Sequence, residues 1–582
     1  MRRKTAITKA ELRGAMEELL CWRREREGFL TRVRDEEDWY RLRVTPRAHR
    51  NSEGESIAPT SAWLFNALMQ KHADLMENIP LATCLPREES DEEDARALSA
   101  ILPVVLDRSG FEGAYSDNMW YKLKHGVCAW GVFWNTELEN GLGDIDVRRV
   151  DLASLYWQPD VRELQHSKSV YFVEEREISA LRAQFPRYDG KVGEGLDAFF
   201  CPKGEAGNTV AVVDWYYKKR TPEGRTVLHY CKFAGDTVLF STENDPLYQN
   251  GWYEHGQYPF VLDVLYPIEG STLGFGIIAI GRDPQMYIDR MDRNLLEYMD
   301  WATRVRYFCK KSTGVNEDEF CDLSRRIVSV EGDPDEERLR QIEVAAPSSL
   351  WLELKDAKVK ELKETTANRD VLQGSTDTGV TAAAAIAALQ ESGNKSMRDI
   401  IRASYRAFVE VARLMVECVR QFYGEVRCFR VLGKNGGNRY LYWSNEHMRE
   451  QQIGLSARGL PLTRRPIFDI DVRAEKQNPY TRYSYNEMLK SLYTMGVFEP
   501  ENAKASAVLL DAMDFPGIEH LRARVAQFLR DADSVPQSGA NGRVPKSAPR
   551  NAEIVGDAPL YERAQSGAVK MMEKAEEGGA AL

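Results

Sequence analysis

Two pairs of closely spaced aspartates are the strongest candidates for metal-dependent chemistry in this sequence. Asp469 and Asp471 lie in the segment FDIDV, and Asp531 and Asp533 lie in DADS. Neighbouring carboxylates can bind Mg²⁺ for the hydrolysis of phosphodiesters. In a β-strand, however, alternation places Asp469 and Asp471 on one polar face, so surface exposure explains this pair more simply. We therefore expect no metal site.

Other sequence signatures of catalysis are absent. The sequence has no G-x-x-x-x-G-K-[ST] phosphate loop, and the stretch GKNGGNR at residues 433–439 is typical of a hairpin turn. It has no H-E-x-x-H motif and no C-x-x-C pair, and its eight histidines are scattered one by one. No nucleophile motif with a local signature occurs. We therefore predict a protein that is not an enzyme and that has no catalytic, cofactor-binding or metal-binding residues.

Basic residues in the longest helical stretch are candidates for contact with nucleic acid. Arg406 and Arg413 each lie four residues before a glutamate, which favours ion pairs along the helix or between subunits over contacts with phosphate. Lys395 and Arg398 lie near a bend expected at Gly393. For Lys395 and Arg398, the sequence does not decide between ion pairs and contact with DNA.

The elements that would position these residues change in character along the chain. Apolar residues recur at helical spacing in residues 8–43 and 61–80, whereas short β-branched and aromatic runs separated by turn residues fill residues 126–267. Helical periodicity returns in residues 276–305 and 350–366, on either side of a charged insertion with strand signals. Because helices and strands mix without strict alternation, the sequence predicts an α+β fold, mainly helical.

The second half of the chain is predicted to contain a loop, a long helix, short strands, further helical pieces and a C-terminal tail. Residues 368–380, NRDVLQGSTDTGV, have the composition of a loop. Residues 381–424 carry one apolar stripe at steps of three and four and would span roughly 65 Å as a helix. Short strands are expected in residues 425–479 and helical pieces in residues 480–530. Residues 531–582 are rich in Pro, Gly, Ser and Asn, which predicts a mobile tail.

The bulk properties exclude several classes of protein. The chain has 582 residues and a net charge of −11, so its surface as a whole repels nucleic acid and tight non-specific binding to a duplex is not expected. Nine scattered cysteines indicate reduced thiols. No apolar run reaches the roughly 18 residues needed to cross a bilayer, so we expect no membrane association.

The order of these elements resembles that of the portal proteins of tailed double-stranded DNA bacteriophages and prophages. Three stretches carry the resemblance in addition to the order: SAWLFNALMQKHADLMENIP, GQYPFVLDVLYPIEGSTLGFG before the first of the paired helices, and TGVTAAAAIAALQESGNKSMRDIIRASYRAF at the long helix. The resemblance covers most of residues 23–530.

The resemblance implies a portal-like architecture with a β-rich wing, a two-helix stem, a small α/β clip, a long kinked helix and a helical crown. Its parts would be a wing (1–275), a stem helix (276–305), a clip (306–349), a returning stem helix (350–367), a tunnel loop (368–380), a long wing and tunnel helix (381–424), a β segment returning to the wing (425–479), a crown (480–530) and the tail (531–582).

The resemblance also implies a function and a set of partners. A ring, usually of twelve subunits, would form in the host cytoplasm, occupy one capsid vertex of the virion and conduct DNA during packaging and ejection. Its partners would be further copies of the chain, double-stranded DNA, the terminase large subunit, the major capsid or scaffolding protein and a head-completion adaptor. The alternatives are another virion connector or a minor capsid protein, and, less favoured, a nucleic-acid enzyme.

On this resemblance, the DNA channel would be lined by the tunnel loop and by the start of the next helix. The candidate channel residues are Arg369, Asp370, Gln373, Ser375, Thr376, Asp377, Thr378, Lys395 and Arg398. Asp370 and Asp377 would repel the phosphates of DNA, while Arg369 could touch them briefly. The candidate partner-binding residues of the clip are Lys310, Lys311, Glu317, Asp318, Arg325 and Arg326.

Overall fold

The computed structural model describes most of the first 474 residues and few of those that follow. The described residues are 7–43, 61–186, 188, 200, 209–220, 224–248, 250–303, 307–309, 339–341, 348–367, 395–432, 438–455, 461–474, 491, 494, 507 and 525. The chain divides into two compact units, residues 1–479 and residues 480–582. The elements named below all lie in the first unit.

Most of the helices lie in residues 9–125 and 277–422, on either side of a β-rich region. The α-helices of the described residues are α1 (Lys9–Glu25), α2 (Glu27–Tyr40), α3 (Trp63–Met76), α4 (Glu92–Arg108), α5 (Phe111–His125), α6 (Ile178–Gln184), α7 (Ile277–Thr303), α8 (Leu350–Thr365) and α9 (Lys395–Phe422).

The strands form several small antiparallel sheets. They are β1 (Pro80–Pro86), β2 (Val127–Asn135), β3 (Asp144–Val150), β4 (Leu155–Trp157), β5 (Ser169–Glu177), β6 (Thr209–Arg220), β7 (Thr226–Ala234), β8 (Thr237–Ser241), β9 (Phe260–Val264), β10 (Tyr266–Pro267), β11 (Gly274–Phe275), β12 (Tyr307–Cys309), β13 (Leu339–Gln341), β14 (Arg427–Leu432), β15 (Asn438–Trp443), β16 (Gln451–Leu455), β17 (Pro461–Arg464) and β18 (Phe468–Ala474). The chain is thus a mixed α/β protein, about half helical, with several sheets.

Helix α1 packs on a five-stranded meander of order β4-β5-β6-β7-β8, whereas α2 packs against α5 and α7. Thr8 begins α1 with a reciprocal capping box, in which its hydroxyl accepts from the backbone N–H of Glu11 and the Glu11 carboxylate accepts from the backbone of Thr8. Leu19 and Trp22 of α1 are buried against the sheet together with Tyr171 of β5. The helical pattern of residues 8–43, which the sequence predicts as one or two helices, forms two.

A three-stranded sheet of order β3-β2-β9 lies at the centre of the largest hydrophobic cluster. Helix α9 packs across β2 and β9, and α5 leads directly into β2. The turn between α5 and β2 requires a glycine: Gly126 has φ +81°, and a Cβ atom at this position would lie 2.1 Å from the carbonyl carbon of Phe275.

A two-stranded pair joins distant parts of the chain. Strand β1 pairs with β18 in an antiparallel register that runs from Pro80 opposite Ala474 to Pro86 opposite Phe468. Helix α9 contacts both strands. This pair, together with α9, links the strand that follows α3 to the last strand of the unit.

Helices α7 and α8 pack against each other as an antiparallel pair. Asp292 forms an ion pair with Lys355, the Lys358 ammonium lies 5.4 Å from the Tyr287 ring centre, and Thr366 lies beside Gly281. Residues later in α8 therefore contact residues earlier in α7, as expected for two antiparallel helices. Between the two helices, β12 pairs with β13.

Several local predictions from the sequence are confirmed, and others lie outside the described residues. The hairpin expected around residues 433–439 is present as the β14–β15 pair, with Leu432 opposite Asn438. The bend expected at Gly393, the loop at 368–380 and nearly all of residues 480–582 lie outside the described residues. Within the described residues, no helix is both long enough and apolar enough to cross a membrane.

Candidate functional site

Helix α9 is held on the central sheet by a buried ion pair. The Lys122 ammonium of α5 donates to the Asp263 carboxylate of β9 at 2.6 Å and to the hydroxyl of Ser404 on α9 at 2.7 Å. The side chains of Lys122 and Asp263 are 0% and 1% exposed. Since a buried charge is stable only when it is paired, this contact ties three elements to one arrangement.

The C-terminal end of α9 is fixed by a second polar cluster. The Tyr423 hydroxyl donates to the buried Asp144 carboxylate of β3, and the Arg427 guanidinium donates to the carbonyl of Gly143 at 2.6 Å. Burial, reinforced by the negative charge of Asp144, raises the pKa of Tyr423 well above its ordinary value. The phenol therefore stays a hydrogen-bond donor at any physiological pH.

The exposed face of α9 carries basic residues in its first half and arginine–glutamate ion pairs in its second half. Arg398, Arg402 and Arg406 are exposed and follow one another at steps of four, so they lie along one face of the helix. Lys395 is exposed one turn earlier. Among the described residues, no carboxylate pairs with Arg402 or Arg406.

The ion pairs that α9 forms within the chain join residues three apart and not four apart. Glu410 pairs with Arg413 at 2.7 Å instead of with Arg406, and Glu417 pairs with Arg420 and, at 2.9 Å, with Arg465. Each glutamate thus binds the arginine three residues after it, and for Glu417 and Arg420 this pairing is reinforced by contacts with Arg465 and with the backbone carbonyl of Pro466. The pairing of Arg413 within the helix is confirmed, Arg406 has no carboxylate partner among the described residues, and pairing between subunits stays a prediction.

Most of the residues proposed for the channel and for partner binding lie outside the described part of the chain. These are Arg369, Asp370, Gln373, Ser375, Thr376, Asp377 and Thr378 of the loop, and Lys310, Lys311, Glu317, Asp318, Arg325 and Arg326 of the insertion. Of the proposed channel residues, Lys395 and Arg398 are described, and both are exposed at the start of α9.

The helix pair α7–α8 exposes an unusual amount of apolar surface. Leu350 is 65% exposed, Leu352 58% and Met299 53%, although all three are large hydrophobic residues. The other exposed large hydrophobic residues of the pair are Met286, Tyr287, Leu296, Trp351 and Leu354. Several of these line a cavity of about 480 Å³ between the helices, next to Arg290 and Asn294. Apolar surface of this extent is typical of a protein interface.

The base of α7 is anchored by a network that involves Ser61. The Ser61 hydroxyl donates to the Asp289 carboxylate at 2.8 Å, and the Gln285 amide donates to the same carboxylate at 2.9 Å and to the Ser61 carbonyl at 2.8 Å. Ser61 has the residue type of a helix cap, but α3 begins after Ala62 and Ser61 bonds to α7 instead. The network fixes α7 against the start of α3.

The aspartates that suggested a metal site form separate ion pairs on strand β18. Asp469 accepts two hydrogen bonds from the Arg87 guanidinium, at 2.7 and 3.0 Å, and Asp471 pairs with Arg473 at 2.8 Å. The hydrogen bonds from Arg87 lower the pKa of Asp469. Within the described ranges, no group of three or more His, Cys, Asp or Glu could hold a metal ion. Asp531 and Asp533 lie outside those ranges.

Two of these features, the buried ion pair and the exposed apolar surface, have little signal in the sequence. Asp263 is the single charged residue of the apolar strand β9, which hints that it is buried, whereas α5 also contains Glu112, Asp117 and Lys124, so nothing in its sequence distinguishes Lys122. The exposed apolar surface of α7 and α8 differs little in sequence from a stripe that packs on a core.

One comparison with known proteins covers most of the chain. A family model described as phage P22-like portal protein matches residues 74–577. No curated protein matches the chain.

Proposed function

The chain belongs to the phage P22-like portal protein family, and from this membership we propose that it forms a closed ring at one capsid vertex, through which DNA is packaged and ejected. The family is structural and not generally enzymatic. The observation that carries the proposal is the family match over residues 74–577, and the exposed helix pair α7–α8 supports it.

Ring closure requires a surface on each subunit that another copy can cover. Closed rings use heterologous interfaces, in which one patch binds a different patch of the neighbour. The exposed leucines of α8, with Trp351 and Met299, would be shielded from water if α7–α8 pairs stood side by side around an axis. We assign these helices to the stem, as residues 276–305 and 350–367.

The DNA path would follow the loop at residues 368–380 and the start of α9. Copies of a subunit with net charge −11 give a wall that repels phosphate, so the duplex can slide without binding tightly. Lys395 and Arg398 would make brief contacts with the backbone of DNA, next to the basic face that continues through Arg402 and Arg406. Asp370 and Asp377 would add repulsion at the constriction.

The remaining parts would serve assembly. Residues 306–349 would form the clip, where the terminase large subunit docks during packaging and a head-completion adaptor afterwards. Residues 1–275 and 425–479 would form the wing facing the major capsid or scaffolding protein, residues 381–424 the long wing and tunnel helix, residues 480–530 the crown and residues 531–582 the tail.

Electron microscopy of the purified full-length protein tests the proposal directly. Negatively stained particles should be rings with an axial hole, and rotational averaging should give the number of subunits, which we expect to be twelve. A homogeneous population of monomers or dimers at micromolar concentration would contradict it and would favour another virion component.

A further inference from the structure

A groove of about 750 Å³ runs beside strand β9 on the central sheet. Its walls are formed by α9, through Ala403, Ala407 and Leu414, and by the connection that contains Arg162 and Gln165. Strand β9 is an edge strand, because the sheet order is β3-β2-β9. The groove thus gives access to a strand edge.

The hydrogen-bonding register shows which backbone groups face the groove. Val132 donates to the carbonyl of Pro259, and Leu265 donates to the carbonyl of Gly126, at the two ends of the β2–β9 pair. Since antiparallel strands alternate, Val261 and Asp263 also exchange hydrogen bonds with β2, whereas Leu262 and Val264 direct their N–H and C=O groups away from it. Among the described residues, no hydrogen bond uses those outward groups.

The start of the same edge already has a substitute partner. The side-chain amide of Gln165 accepts from the backbone N–H of Tyr258 at 2.8 Å and donates to the carbonyls of Tyr258 and Phe260 at 3.0 and 3.4 Å. One side chain therefore imitates a neighbouring strand at these residues. These contacts end at Phe260, and among the described residues the outward backbone groups of Leu262 and Val264, farther along the groove, have no such substitute.

The walls of the groove suit an extended chain with apolar side chains. Ala403 and Ala407 are small and lie one turn apart on α9, which leaves room beside β9. The side chains of Leu262 and Val264 are only partly buried. An added strand would find apolar contacts along its length in addition to backbone hydrogen bonds.

The charges at the rim are unbalanced. Glu410 is paired with Arg413, and Glu163 lies 3.5 Å from His166, which is charged only when it is protonated. Arg162 and Arg406 are exposed, and no carboxylate of the described residues pairs with either. The rim therefore favours a ligand with negative charge.

We propose that the edge of β9 accepts an extended acidic segment of a partner polypeptide, which adds a strand beside Leu262 and Val264 while its carboxylates meet Arg162 and Arg406. Backbone pairing gives the affinity, and the two arginines select for charge. The inference concerns the body of the subunit and does not depend on ring closure.

Binding of two labelled peptides to the full-length protein tests this inference. The probes are fluorescein-labelled Glu-Val-Thr-Val-Glu and its counterpart Lys-Val-Thr-Val-Lys, and fluorescence anisotropy measures their dissociation constants. The acidic probe should bind more tightly, and Arg162→Glu combined with Arg406→Glu should reverse the preference. If neither probe binds, or if both bind equally well, the inference is overturned.

A second pair of variants tests the role of the backbone. Leu262→Pro removes an N–H that faces the groove and leaves the pairing with β2 intact, because proline is tolerated on the open side of an edge strand. It should weaken binding of the acidic probe by about tenfold, whereas Leu262→Ala, which keeps the N–H and removes only side-chain contact, should weaken it less. Equal effects of the two substitutions would exclude strand addition.

A comparison of assembly states identifies the occupant. If the protein is oligomeric and only dissociated subunits bind the acidic probe, a neighbouring copy covers the edge, and a separate partner is excluded. Binding by the intact oligomer supports the proposal.

Discussion

The ammonium of Lys122 and the carboxylate of Asp263 lie 2.6 Å apart with both side chains excluded from solvent. One residue belongs to α5 and the other to β9, and Ser404 of α9 accepts a further hydrogen bond from the same ammonium. The pair therefore specifies how the long helix sits on the central sheet.

Breaking this pair should destabilise the body strongly. Lys122→Met leaves the Asp263 carboxylate buried without a partner and should lower the free energy of unfolding by roughly 3–5 kcal/mol. The double variant with Asp263→Leu should recover much of that loss, because no buried charge remains. Urea unfolding followed by tryptophan fluorescence measures both. Lys219→Met, which breaks a half-exposed pair with Glu243, is the control and should cost about 1 kcal/mol or less. A double variant no more stable than the single one would contradict the prediction.

His255 should make stability depend on pH. Burial, together with the positive charges of Arg465 and Lys218, lowers its pKa to about 4. Its Nδ1 accepts a hydrogen bond from the backbone N–H of Gln257 at 3.0 Å, which protonation of that nitrogen would abolish.

The sign of this pH dependence follows from the two pKa values. Between pH 6.5 and about 4 the unfolded chain binds a proton that the folded chain does not, so stability falls as the pH falls, by up to roughly 3 kcal/mol. His255→Asn keeps a hydrogen-bond acceptor and should remove this part of the slope, as measured by urea unfolding at pH 7 and pH 4.5. His166→Gln is the control, because the side chain of His166 is 72% exposed. Identical slopes for His255→Asn and the unmodified protein would show that His255 does not contribute.

Assembly should depend on the apolar surface of α7 and α8. Trp351→Glu places a charge in the proposed interface and should weaken each subunit contact by about 2 kcal/mol, roughly thirtyfold in the association constant. Mass photometry should then show dissociated subunits at protein concentrations at which we expect the unmodified protein to form rings. Leu247→Glu, at an 86% exposed position outside this helix pair, is the matched control. If Trp351→Glu forms rings as stable as those of the unmodified protein, α7 and α8 do not form the interface between subunits.

Deletion of residues 368–380 should separate assembly from transport. Ring formation should persist, because we place the interface on α7 and α8, whereas packaging or retention of DNA should be strongly reduced. Protection of packaged DNA from nuclease measures this, with electron microscopy of the same preparation. Asp370→Asn with Asp377→Asn keeps the length of the loop and should have a milder effect. Normal packaging by the deletion variant would mean that the loop does not line the constriction.

The elements that the sequence predicts best are those specified by local patterns. Helices α7 and α8 follow from apolar residues at steps of three and four, and the β14–β15 hairpin follows from two β-rich runs around a glycine-containing turn. In each case the information lies within one short stretch of chain.

Features that depend on distant contacts could not be predicted in the same way. Strand β1 was not expected, because PLATCLP has two prolines and its partner β18 lies far along the chain. Ser61 has the residue type of a helix cap, yet it bonds to Asp289 of α7. Helical spacing allows Glu417 to pair with either Arg413 or Arg420. Glu417 pairs with Arg420, and both have further contacts, Glu417 with Arg465 and Arg420 with the carbonyl of Pro466.

The pairing of β1 with β18 has a consequence for synthesis of the protein. Arg87, next to β1, and its partner Asp469 are 382 residues apart in sequence, so at about 5–20 residues per second the ribosome needs roughly 20–75 s to supply the second strand. During that time β1 has an open edge that could pair with other nascent chains. Completion of the body must therefore come late in translation, after α7 and α8 have emerged, and the interval is one in which chaperones would have the most effect.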